Sequence, residues 1–112
     1  MILRQKDKEA LETIFAAVEI PIEVWAYGSR VSGGAHSGSD LDLVIRSSDL
    51  TPLPPVIFNE VYWKIKDSNI PILVDLFDWS RLNETFHKNI SQQYEVLFSS
   101  INTKAETSAT AS

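Results

Sequence analysis

The segment Asp40-Leu-Asp-Leu-Val-Ile45 constrains this chain more than any other. It alternates acidic and apolar residues before turning fully apolar, the pattern of a strand with one buried face. Leu41 and Leu43 point into a core and fix the register, while Asp40 and Asp42 emerge together on the other face, roughly 7 Å apart along the chain. Two carboxylates so placed repel each other unless a cation lies between them. Hard oxygen ligands of this kind suit Mg²⁺, which usually takes one or two carboxylates together with phosphate oxygens.

The flanking sequence supplies elements for this strand to pack against. Residues 6–18 carry Leu11, Ile14, Phe15 and Val18 at helical spacing, and Pro21 ends that helix. Residues 22–27 read as a strand rich in extended-favouring side chains such as Val24 and Trp25. Residues 28–39 form a Gly- and Ser-rich loop, with a short helix expected to start near Ser29. A polar, Pro-rich connection over 47–55 leads to a helix over 55–66 with Ile57, Val61 and Ile65 on one face. Asn69 and Pro71 break it, and 72–77 reads as a buried, nearly continuous apolar strand. A helix over about 80–92 and a short strand over 94–98 complete the pattern. Alternation of this kind predicts an α/β (α+β) architecture, a small mixed sheet with helices packed on it.

At 112 residues the chain has material for a single core, assigned to a domain over 1–98, and the polar stretch 99–112 reads as a disordered tail. It contains no cysteine, so neither disulfides nor thiolate metal ligands enter. The first residues turn charged at once, without a signal-peptide apolar core, and no apolar run would span a bilayer. A soluble cytoplasmic protein is expected, with no membrane partner. The net charge of −5 argues against long nucleic acid as a partner, since phosphate backbones need a clustered basic surface. A small polyphosphate remains compatible, because a bound cation inverts the local charge logic.

Gly28-Ser29 directly follows the 22–27 strand. A glycine there lets backbone approach a phosphate, a following helix start would aim N–H groups at it, and Ser29 adds a hydroxyl donor. Asp75, mid-strand among apolar neighbours, is costly unless a cation or a basic partner such as Arg30 lies nearby. As a third carboxylate it would ligate a metal and accept the proton of an attacking hydroxyl. Asp78 competes for that position, but its place just before a helix is explained more cheaply by an N-cap. Arg30 either binds phosphate or ties Asp75 or a carbonyl in place. His36 reads as a surface imidazole in the loop. Trp25 and Trp79 read as structural, whereas Trp63 either packs under the Pro-rich loop or joins Val56 in an exposed partner surface.

The pattern Gly-Ser-Arg-x-x-Gly…Ser-Asp-x-Asp-Leu, with ten residues between Gly28-Ser29 and Asp40 and a later Val-Asp-Leu at Asp75, resembles the signature of the DNA polymerase beta-like nucleotidyltransferase superfamily. The fuller motif resembles its minimal nucleotidyltransferase (MNT) branch, over roughly residues 8–98. That resemblance implies Gly28, Ser29 and Arg30 as nucleotide-binding residues and Asp40, Asp42 and Asp75 as catalytic metal ligands for Mg²⁺, with a two-metal site. It further implies ATP as substrate and an antitoxin role, with AMP transferred to a tyrosine of a HEPN-type toxin encoded nearby. The rival expectation is a binding module that neutralises such a toxin by contact, its site slow or idle. Antibiotic adenylylation by an oligomer is a weaker third reading, because no acceptor-binding domain follows Phe98 in this chain.

Overall fold

The computed structural model describes residues 3–28 and 40–101. The first element is helix α1 (Gln5–Ala16), which turns Leu11 and Phe15 wholly inward. Its first turn is held by Arg4, whose guanidinium donates to both oxygens of the buried Asp7 at 2.9 and 3.0 Å. After Pro21, β1 (Ile22–Tyr27) runs antiparallel to β2 (Leu41–Ser47). Helix α2 (Pro55–Lys66) then crosses over, so that β3 (Val74–Asp78) lies parallel to β2. Parallel neighbours require such a connection. Pro55 starts α2 without losing a needed hydrogen bond, and Lys64 and Lys66 lie in its last turn, where the helix dipole favours cations.

The stretch after β3 departs from the sequence expectation of one helix over 80–92. A 3₁₀ turn (Trp79–Arg81) comes first, and helix α3 (Glu84–Gln92) starts anew, capped by the Asn83 side chain accepting from Phe86 N–H at 3.0 Å. Two capping residues in succession, Asp78 and Asn83, divide what periodicity alone reads as continuous. The last strand, β4 (Tyr94–Ser99), pairs antiparallel with β1 across a bulge at Val24/Trp25. Ser100 continues the attachment, its N–H donating to Ile22 O at 2.8 Å and its hydroxyl accepting from Ile22 N–H at 3.0 Å.

The sheet order is β3-β2-β1-β4. One face carries Ile22, Val24, Ala26, Leu41, Leu43 and Ile45, all fully buried under α1 and α2. The opposite face holds a smaller cluster of Trp25, Val44, Trp79 and Ile90 beneath α3, which bears out the structural reading of the two tryptophans. Because β3 is an edge strand, it is not buried throughout as its apolar run implies: Leu73 just before it is 61% exposed and Phe77 within it 41%. Trp63 is 61% exposed, with its ring against Tyr62 at 5.4 Å, rather than tucked beneath the Pro-rich loop. No helix among the described residues is long and apolar enough to cross a membrane.

Candidate active site

The period-two pattern of β2 delivers what its sequence promised. Leu41, Leu43 and Ile45 go to the core, and Asp42 stands half-buried on the other face. Pairing then aligns its neighbours: Tyr94 opposes Tyr27, Tyr27 opposes Asp42, and Asp42 opposes Asp75, one row crossing all four strands. Opposed residues in a sheet share a face. Asp42 and Asp75 are therefore side by side on parallel strands, with Tyr27 adjoining Asp42. Asp75 is half-buried rather than sealed among apolar residues, because its strand forms the sheet edge. Asp40 is exposed just ahead of β2, anchored by the Leu41 N–H that donates to Leu73 O at 2.9 Å.

The charges feel one another. Partial burial pushes the Asp42 carboxyl above its ordinary value, and Asp75 and then Asp40 push it further. The same causes act on the Tyr27 phenol, where burial first, then Asp42 and Asp75, raise it to about 12, so Tyr27 is a neutral hydroxyl at physiological pH. Among the described residues no lysine or arginine forms an ion pair with Asp42 or Asp75. Nor do three carboxylates or imidazoles among them form a group that could hold a metal ion, so Asp40 is not gathered with Asp42 and Asp75 into a ready three-ligand site. The donor set is all oxygen, and its negative charge has no ion-pair partner among the described residues. Those properties fit a hard divalent cation that keeps open positions for water or phosphate.

Gly28 closes β1 with φ +83°, a conformation that side chains rarely adopt, and a Cβ there would collide with Asp42 Oδ2. The glycine thus has a role that its sequence context did not reveal: it makes room for the Asp42 carboxylate. Ser29, Arg30 and His36, and the short helix expected near Ser29, lie outside the described residues, as does any pairing of Arg30 with Asp75.

Asp78 takes no part in this row. It sits on the core-facing side of β3, is 4% exposed, and accepts from Leu53 N–H (3.0 Å), Ser80 N–H (3.0 Å) and Ser80 Oγ–H (2.9 Å). Its capping role holds, although the element it caps is the 3₁₀ turn, not α3.

Above the row lies an open cleft of about 300 Å³ lined by Tyr27, Asp42, Phe77, Leu82 and Phe86. Sequence reasoning missed four of these five. Phe77 was within reach, since period two puts it on the face of Asp75. Leu82, at the end of the 3₁₀ turn, and Phe86, on α3, reach the cleft only through the packing of those two elements. A second cleft of about 320 Å³, between α1 and α2, is remote from the carboxylate pair and is lined by Glu19, Glu60 and Lys64 among apolar residues.

A small mixed sheet that sets two carboxylates abreast on its open face, one of them packed on a positive-φ glycine, is nucleotidyltransferase architecture. The chain belongs to the family described as Polymerase beta, Nucleotidyltransferase, which matches residues 9–103. It is 34% identical over 95 residues to the probable protein adenylyltransferase MntA of Haemophilus influenzae (strain ATCC 51907 / DSM 11121 / KW20 / Rd), covering 85% of this chain and 82% of that one. The expected kinship with minimal nucleotidyltransferases holds. Solved structures share the fold. One, a toxin-antitoxin with AMP-PNP, superposes with a TM-score of 0.66 at 18% identity, covering 83% of this chain and 73% of the other. Another, a mutant of the toxin-antitoxin MntA-HpeT, gives 0.63 at 20% identity, covering 87% and 73%.

Proposed function

We propose that this protein is an antitoxin that transfers AMP from ATP to a tyrosine hydroxyl of a partner HEPN-type toxin, in a Mg²⁺-dependent reaction. The observation that carries this reading is the Asp42–Asp75 pair, in register on neighbouring strands beside Gly28 and without a cationic partner among the described residues. The adenylyltransferase relative supports AMP as the transferred group, and the toxin-antitoxin assemblies that share the fold support a toxin as acceptor.

Asp40, Asp42 and Asp75 would hold Mg²⁺, which when bound offsets the triphosphate charge and acidifies the attacking hydroxyl. Gly28, Ser29 and Arg30 would hold the phosphates. The acceptor oxygen forms a bond to the α-phosphorus while the α–β bridging bond breaks, and its electron pair leaves with pyrophosphate. Asp75 takes the acceptor proton, being the carboxylate nearest the open sheet edge from which a partner can approach. Tyr27, held neutral, keeps a hydroxyl proton that it can offer to a carboxylate or phosphate oxygen. With a net charge of −5 the surface disfavours nucleic acid as acceptor.

The test is to incubate the protein with Mg²⁺, ATP and the product of the adjacent gene, and to weigh that product by mass spectrometry. Addition of one or more AMP units, abolished by Asp42→Asn, is expected. A tight complex with no mass change at saturating ATP would sink the reading in favour of neutralisation by contact.

A further inference from the structure

We propose that the Tyr27 hydroxyl donates a hydrogen bond to a phosphate oxygen of the bound nucleotide, so that Tyr27 joins Gly28 and Ser29 in holding the triphosphate. The assignment rests on the nucleotide-transfer reading above and adds a side chain to its substrate grip.

Position is the first observation. Tyr27 opposes Asp42 in the β1–β2 register, so the two side chains rise from one face of the sheet on neighbouring strands. Both line the open cleft above the carboxylate row. A tyrosine is longer than an aspartate by the depth of a benzene ring. Its hydroxyl therefore stands above the Asp42 carboxylate, at the level of whatever a cation on that carboxylate holds next. For Mg²⁺ in a site of this kind, that next layer is water and phosphate.

The second observation is that the hydroxyl is held in place but unused. The Tyr27 ring is half-buried and packs against the cluster of Trp25 and Trp79, which fixes its direction. Yet among the described residues its oxygen has no hydrogen-bond partner, Asp42 included. Polar groups set into a folded surface are ordinarily satisfied, so an unpartnered hydroxyl on the wall of a cleft is an open donor.

Chemistry decides between the acceptors within reach. A phenol ordinarily titrates at about pH 10, so the hydroxyl carries its proton under working conditions. Asp42 Oδ2 already lies against Gly28, where a Cβ would collide with it, and a cation needs the lone pairs of that carboxylate. A phosphate oxygen brought in by the cation is charged and only accepts, and a bond to it is of the stronger, charge-assisted kind. Tyr27 also directly precedes Gly28, so both lie where the chain leaves β1. A neutral donor at that point holds phosphate without competing for the cation.

The experiment compares the full chain with Tyr27→Phe, which keeps the packed ring and removes only the hydroxyl. Calorimetric titrations use Mg²⁺ alone, adenosine, Mg·ATP and Mg·triphosphate, the last carrying neither ribose nor base. Tyr27→Phe should weaken Mg·ATP and Mg·triphosphate about tenfold each, the scale of one hydrogen bond to a charged group, and leave Mg²⁺ alone and adenosine within about twofold. The melting temperature without ligand should not fall, since no hydrogen bond among the described residues is lost.

Unchanged affinity for Mg·ATP overturns the proposal. So does an equal loss for Mg²⁺ alone, which would mean that the hydroxyl orients Asp42 instead. A loss confined to Mg·ATP, with Mg·triphosphate unaffected, overturns it too, because the hydroxyl would then meet the nucleoside. Hydroxyl-dependent triphosphate binding without AMP on the partner would support the contact and sink the transfer reading. AMP transfer at an affinity indifferent to Tyr27→Phe would do the reverse.

Discussion

Asp42, a metal ligand in the proposed reaction, works against the fold that holds it. Its carboxyl is raised by burial, by Asp75 and by Asp40, so the folded state binds its proton more tightly than the unfolded state does. Stability from this group is greatest below its ordinary value of 3.8 and is lost as pH climbs through the raised value. Asp42→Asn should therefore abolish transfer and raise the melting temperature at neutral pH by about 1–4 °C, a modest figure because the site is partly open to solvent. The difference between variant and wild type should shrink as the solution is acidified, which a melting series across pH checks. Gly28→Ala should act in the opposite sense on stability. It forces a side chain into left-handed backbone and against Asp42 Oδ2, and urea denaturation should show a loss of about 1–3 kcal/mol.

Among the elements, β3 places two aspartates on opposite faces for opposite ends. Asp78→Ala strands three donors around a buried acceptor and should cost about 2–3 kcal/mol in denaturation. Asp75→Ala should leave stability at or above wild type while removing transfer activity. The facing of β2 and the position of Gly28 were legible in the sequence because both follow from local rules, period two and a glycine after a strand. The division of 79–92 into a 3₁₀ turn and α3 was not, since Asp78 and Asn83 reveal themselves as caps only once the chain turns. Nor was the openness of β3, because an apolar run does not say which strand stands at the edge. Beneath helix α3, the Arg46 guanidinium lies 3.9 Å from the Trp25 ring and 4.4 Å from the Trp79 ring, with Glu23 at 3.1 Å. His87 on α3 stacks on Trp79 at 4.0 Å and reaches Trp79 O at 2.7 Å. The two indoles meet edge-to-face at 5.3 Å and the planar guanidinium lies against both, a fit an ammonium does not reproduce, so Arg46→Lys should lower stability by about 1–2 kcal/mol and alter the near-ultraviolet tryptophan dichroism.

For the molecule as a whole, the Asp42–Asp75 pair, without an ion-pair partner among the described residues, predicts a response to divalent ions independent of any acceptor. Adding millimolar Mg²⁺ should raise the melting temperature, chelation should reverse the gain, and Asp42→Asn should blunt it, because a cation that binds only the folded state stabilises it by mass action. The sheet also has two unlike sides. One is sealed by α1 and α2 over Leu41, Leu43 and Ile45, and the other is only half covered by α3. Leu43→Ala should cost about 2–5 kcal/mol, whereas its neighbour Asp42 is free of that duty. A saturation mutagenesis survey that scores protein abundance and partner modification separately should therefore single out position 42 on β2. Substitutions at Leu41, Leu43 and Ile45, and at Val44 in the smaller cluster, would deplete the cell of protein, and those at position 42 would leave abundant but silent molecules. That one silent position would mark, from living cells alone, the side chain of the strand that serves something other than its fold.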